Sequence, residues 1–182
     1  MDRPAMYIDT NMLIDWAKLE LHIGKLKPDI RDLAKRNLDI LKSRYVRKYD
    51  VIVPQIVVGE FCMVISEYYS DNLNPAMSWL SDFIRKHSLD IKPIPKYKAH
   101  SIIETAKEIL SYEISSGDYG ERQLDFTDSL VLSQALHDFD SKILLTTDGR
   151  MQEAVYIHEI EEKIDRPHNL KIIDDLSKVR FR

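Results

Sequence analysis

Four acidic side chains stand where solvation alone explains an acid poorly: Asp9, Glu60, Asp128 and Asp148. Asp9 follows the apolar run Ala5 to Ile8, and Asp148 follows Ile143-Leu144-Leu145 and two threonines. Asp128 opens the row Val131, Leu132, Ala135, Leu136 and Phe139, whose spacing is one face of a helix. Glu60 lies within the row Ile56, Val57, Phe61, Val64, Ile65 and Tyr68. An unpaired carboxylate in a core-facing row is costly, so something must compensate it. Four carboxylates brought together raise one another's pKa values. A hard divalent cation with oxygen ligands, Mg²⁺ or Mn²⁺, removes that repulsion. Such an ion activates water and holds a phosphate oxygen, which points to phosphodiester hydrolysis. Each acid also has a plainer reading. Asp125 and Asp128 are spaced as N-cap and N3 of a helix. Asp148-Gly149 and Asp9-Thr10-Asn11 are ordinary turn sequences. Glu60 is explained by neither, and the set of four is harder to dismiss than any member.

The elements that must position these acids follow from patterning. Ala5 to Ile8 reads as a buried strand, with Thr10 or Asn11 capping a helix that carries Met12, Leu13, Ile14 and Ala17. Asp15 lies off that stripe and is expected to be exposed. Pro28 to Arg47 reads as a second helix with the stripe Ile30, Ala34, Leu38, Leu41 and Tyr45, and with Arg31, Lys35 and Lys42 on another side. Val51-Ile52-Val53-Pro54 is a strand ended by proline. Helices are predicted over Gln55 to Tyr69, Asn74 to His87, Tyr97 to Glu113 and Met151 to Ile164, with Gly59 suggesting close packing. Leu89 to Pro95 is extended, Ser115 to Gly120 a loop by composition, and Leu170 to Ile173 a last strand. Strands alternating with helices imply a parallel sheet covered on both faces. Asp9 and Asp148 then stand where open α/β sheets bind ligands, outside the carboxyl ends of strands.

With 182 residues and no dividing linker or repeat, residues 1–182 are expected to form one domain. No apolar run approaches a membrane span, and MDRPAMYIDT lacks a signal-peptide core. The lone Cys62 cannot form an internal disulfide, so a cytoplasmic location is expected, with no membrane partner. A net charge of −4 rules out a bulk basic field for nucleic acid. Charge is uneven, however: Lys25 to Asp50 holds nine Lys or Arg against four Asp, a surface able to meet phosphates. No G-x-G-x-x-G, Walker motif or zinc-like His spacing occurs.

Four short motifs in order resemble those of PIN domains, in the style of VapC-like toxin ribonucleases. They are Tyr7 to Asp15, Val53 to Phe61, Phe126 to Ala135 and Leu144 to Asp148. The resemblance implies a three-layer α/β/α sandwich around a mainly parallel sheet of about five strands. It implies Mg²⁺- or Mn²⁺-dependent cleavage of RNA, with Asp9, Glu60 and Asp128 as principal ligands and Asp148 as a fourth acid. Thr10, Asn11 and Thr146 would neighbour them, and Arg31 and Lys35 could contact the RNA backbone. A small antitoxin protein and a homodimer are the partners it implies. A binding module without useful turnover is the alternative. So is a processing nuclease with no antitoxin. A haloacid dehalogenase-type phosphatase needs an Asp two residues after its nucleophile, where Asn11 stands.

Overall fold

The computed structural model describes residues 3–43, 46–111, 114–116, 120–122, 124–152, 157–167 and 169–179. In chain order the elements are β1 (Ala5–Ile8), α1 (Thr10–Leu21), α2 (Pro28–Leu41), β2 (Asp50–Pro54), α3 (Gln55–Tyr68), α4 (Leu73–His87) and β3 (Asp90–Lys92). Then come α5 (Ala99–Ser111), β4 (Ile114–Ser116), β5 (Gly120–Arg122), α6 (Phe126–His137), β6 (Ser141–Leu145), α7 (Gly149–Gln152), α8 (Ile157–Lys163) and β7 (Lys171–Ile173).

The apolar runs of β1, β2 and β6 are buried, as a sheet covered on both faces requires. Five strands pair in the order β3-β2-β1-β6-β7, every pair parallel. From β1 the chain moves outward through β2 to β3, then returns to β6 on the other side of β1 and continues to β7. Because crossovers between parallel strands are right-handed as a rule, this strand order assigns the helices before β3 to one face and those after it to the other. The strand order reverses between β1 and β6, where Ile8 pairs with Leu145. Such a reversal opens a crevice at the carboxyl ends of the strands.

Local packing holds the layers. Trp16 is fully buried in α1 and donates its indole N–H to the Ala34 carbonyl of α2 at 3.0 Å, so its polar atom is satisfied. Phe83 and Trp79 of α4 stack with centroids 4.7 Å apart, and Phe83 reaches Trp16 at 5.4 Å. Helix α6 is buried from Asp128 to Leu136, because it lies between the sheet and α5. Its Ser133 hydroxyl donates to the Ile102 carbonyl of α5 at 2.6 Å. Beyond its end, Arg166 is almost wholly buried. Its guanidinium donates to the carbonyls of Ala135 (2.8 Å), Leu136, Asp138 (2.9 Å) and Ser141 (2.5 Å), and its Nε lies 3.4 Å from the buried Glu161. Those of Ala135 and Leu136 are among the orphan carbonyls that any helix C-terminus leaves, while Ser141 opens β6.

Several expectations are corrected. Residues 115–120 are not all loop: β4 and β5 form an antiparallel pair, Ser115 opposite Glu121. Residues 117–119 lie outside the described residues. Helix α6 ends at His137, so Phe139 falls past the stripe and is half exposed, with the Lys98 ammonium 5.6 Å from its ring centroid. Asp15 is buried rather than exposed, because Thr147 of the β6–α7 connection covers it and donates to it at 3.2 Å. Gly59 does not mark close packing, since a Cβ there would meet nothing within 4 Å. Tyr68 is exposed on α3. The predicted helix Met151 to Ile164 corresponds to α7 and α8, and Tyr45 lies outside the described residues.

Candidate active site

Asp9 is the first residue after β1 and the N-cap of α1, in extended conformation at φ −86° and ψ 162°. The N-cap is therefore Asp9 rather than the expected Thr10 or Asn11, and its side chain makes no capping hydrogen bond. The neighbouring strand engages it instead. Thr146 follows β6 and donates its hydroxyl to Asp9 Oδ2 at 2.7 Å, while the Asp9 N–H donates to the Leu145 carbonyl at 3.0 Å. The Thr146 hydroxyl oxygen in turn accepts the Asp148 N–H at 2.9 Å. The β1–β6 pairing thus sets one acid and its hydroxyl partner side by side. Asp9 is fully buried, and its other oxygen, Oδ1, has no hydrogen-bond partner.

Glu60 reaches the same crevice from α3. Its Oε2 accepts the hydroxyl of Thr10, the residue after Asp9. It is half-buried rather than deep in the core, since the apolar row of α3 is carried by Val57, Phe61 and Ile65. Asp128 enters from the first turn of α6 and is buried. Asp125 caps that helix: its Oδ1 accepts the Asp128 N–H at 2.9 Å. The Asp128 carboxylate is therefore free of capping duty, and its Oδ2 accepts from Arg150 Nη2 at 2.9 Å.

Arg150 is the residue that sequence reasoning missed. It follows Asp148 by two positions, in α7. Asp148 Oδ1 accepts its backbone N–H at 2.9 Å and its Nε at 3.0 Å, and Asp148 Oδ2 accepts its Nη2. One guanidinium therefore bridges Asp128 and Asp148. A cation two residues beyond the strand-end acid was the available signal, but only the tertiary position of α7 turns it into a bridge.

The electrostatics reflect one cation among four acids. Burial pushes Asp9 up to about 6, with Glu60 and Asp148 adding to the effect and the Thr146 hydroxyl opposing it. Burial pushes Asp128 up to about 8, followed by the charges of Asp9, Asp125 and Asp148, with Arg150 opposing. Glu60 is also raised, by burial first and then by Asp125. The hydrogen bonds to Asp148 hold Arg150 firmly protonated. The uncompensated negative charge and the unpartnered Asp9 oxygen suit a hard cation with oxygen ligands. Among the described residues, however, no three His, Cys, Asp or Glu side chains stand close enough to grip an ion as they are. Arg150 occupies two of the four carboxylates.

Of the other predicted residues, Thr10 and Thr146 lie within this network. Asn11 is exposed in the first turn of α1. Arg31 and Lys35 are exposed on α2, which packs on α1 and on the 3-10 turn Leu176–Lys178, and neither bonds to the four acids. A cavity of about 850 Å³ lies elsewhere, lined by Arg3, Lys42, Arg47, Lys86, Asp50 and Asp90 among others.

No protein-family model matches the sequence, and no curated protein matches it. Among solved structures, the chain matches a chain of VapBC2 from Rickettsia felis, solved bound to a DNA fragment from their promoter. The identity is 17%, the match covers 93% of this chain and 97% of that one, and the TM-score is 0.53. At that identity the likeness speaks to the fold alone. The chain therefore has the PIN-like α/β fold: five parallel strands between helical layers, with acids gathered at the carboxyl ends of the central pair.

Proposed function

We propose that this protein is a metal-dependent endoribonuclease, the toxin of a toxin–antitoxin pair. The observation that carries the reading is the convergence of Asp9, Glu60, Asp128 and Asp148 on one crevice, with a fully buried Asp9 oxygen left without a partner. Those four acids would hold Mg²⁺ or Mn²⁺, and the bound ion would activate water and stabilise charge on a phosphate oxygen. Thr146 holds the Asp9 carboxylate in one orientation, and Thr10 does the same for Glu60. Asp125 saturates the helix end so that Asp128 is left for the site. Asn11 stands exposed at the crevice edge, where a substrate strand could meet it. Arg31 and Lys35 offer phosphate contacts whose strength would fall with salt.

The fold likeness to VapBC2 supports a small antitoxin partner. A homodimer is part of the same reading, checked by light scattering. No described helix is long and apolar enough to cross a membrane, which accords with work in the cytoplasm. One observation favours the alternative of a PIN-like binding module with little turnover: Arg150 already holds two of the acids.

Cleavage of a short single-stranded RNA with Mn²⁺ decides between them. The enzyme reading expects cleavage that chelator abolishes and that Asp9→Asn and Glu60→Gln each lower by at least about 100-fold, the upper range for losing even a ligand's supporting partner. Equal cleavage by wild type and Asp9→Asn would sink it.

A further inference from the structure

We propose that Arg150 is a built-in counter-ion which closes the acid crevice and which a divalent cation must displace in order to bind. The inference rests on the metal-site reading above and concerns how that site opens. Its first support is geometry. Arg150 Nη2 sits 2.9 Å from Asp128 Oδ2 and also bonds Asp148 Oδ2, so the guanidinium occupies the space between two carboxylates contributed by different elements. Paired hydrogen bonds of this charged kind are strong and orientation-specific. A second support is the state of the remaining acids. Asp9 is wholly buried with Oδ1 unpartnered among the described residues, and Glu60 accepts from the neutral hydroxyl of Thr10. One positive charge thus satisfies half of the set, and a doubly charged ion would satisfy more of it.

The third support is that Arg150 can leave. Its side chain is 30% exposed, against 5% for Asp128 and 7% for Asp148. It is carried on the four-residue α7, and the preceding Gly149 has open space where a Cβ would be. The guanidinium can swing toward solvent while both carboxylates stay in place. Arginine keeps its proton at any working pH, so the guanidinium stays charged throughout. A divalent cation displaces it by offering the same carboxylates a higher charge. A protein whose binding-competent form is a minority binds its ligand more weakly by that fraction. Arg150 therefore sets a threshold of metal concentration below which the crevice stays shut.

The test measures Mn²⁺ binding to the full chain by calorimetry and by the electron paramagnetic resonance signal of free Mn²⁺. Wild type, Arg150→Gln and Arg150→Lys are compared, with thermal unfolding in chelator alongside. Arg150→Gln is expected to bind Mn²⁺ at least about tenfold more tightly than wild type. It should also melt at a lower temperature in chelator and recover more on adding Mn²⁺. Arg150→Lys keeps the charge but loses the two-pronged contact, and is expected to fall between. It also serves if Arg150→Gln does not fold without metal. Equal or weaker Mn²⁺ affinity in the folded variants overturns the inference and leaves the metal site standing. Absence of Mn²⁺ binding in all three proteins overturns the metal site and the inference together.

Discussion

Raising the pH in the presence of chelator should weaken the fold, and fully buried Asp9 supplies one traceable part of the effect. In an unfolded chain this carboxyl ionises near 3.8, while in the folded protein burial, helped by Glu60 and Asp148, lifts it to about 6. The folded state therefore holds the proton more tightly. Its stabilising contribution is fully present below 3.8 and is lost as the pH rises through 6. The whole difference corresponds to about 3 kcal/mol. About 1.4 kcal/mol of it disappears between roughly pH 5 and pH 8. Asp9 is 0% exposed, so solvent screening takes little from that figure. Asp128, pushed to about 8 with Asp9 among the causes, carries the slope in the same direction to higher pH. Asn at position 9 cannot ionise, and it also relieves Asp128. Urea unfolding in chelator, repeated across this pH range, should show wild type losing at least about 1.4 kcal/mol more than Asp9→Asn. Saturating Mn²⁺ should flatten the wild-type curve, since a bound cation favours the ionised acids. Parallel pH profiles for the two proteins would refute the claim that Asp9 is a strained buried acid.

Two further outcomes follow from the helix that carries Asp128. Arg166→Leu removes the guanidinium beside the buried Glu161 and the donors to four carbonyls around the end of α6. It should cost about 3–5 kcal/mol by urea unfolding, and less when Glu161→Gln is added. Asp125→Ala removes the N-cap of α6. It should cost about 1 kcal/mol of stability while Mn²⁺ affinity changes less than it does in Asp128→Asn, as calorimetry can show.

Much of this architecture was legible because its strands are fully buried. Ala5–Ile8, Val51–Pro54 and Ile143–Leu145 are continuous apolar runs, and runs of that kind have few other homes than a covered parallel sheet. Asp9 and Asp148 were legible for the same reason, as polar residues at the points where such runs stop. What escaped the reading depended on contacts distant in sequence. Asp15 looked solvent-facing because periodicity knows only its own helix, whereas Thr147 arrives from 132 residues away to cover it. Phe139 continued the spacing of α6, but the helix stops once Arg166 takes up its terminal carbonyls. Glu60 was expected in a core row and lies half-buried, because Val57, Phe61 and Ile65 carry the core-facing row of α3 and Glu60 falls beside it, reaching Thr10. Arg150 carried no periodic signal at all. The polar stretch 115–120 read as loop because a hairpin of three-residue strands is too short to show alternation.

The interleaving of β1 and β6 has a consequence for synthesis. Asp9 emerges from the ribosome well before the hydroxyl that fixes it, which belongs to Thr146, 137 positions later. Chains grow from the N-terminus at about 5–20 residues per second, so a nascent molecule spends several seconds, on the order of ten, with its first strand unpaired on that side. During this interval the protein holds only part of its acid crevice, and a translating cell is not exposed to the finished one until Thr146 and Asp148 have been made.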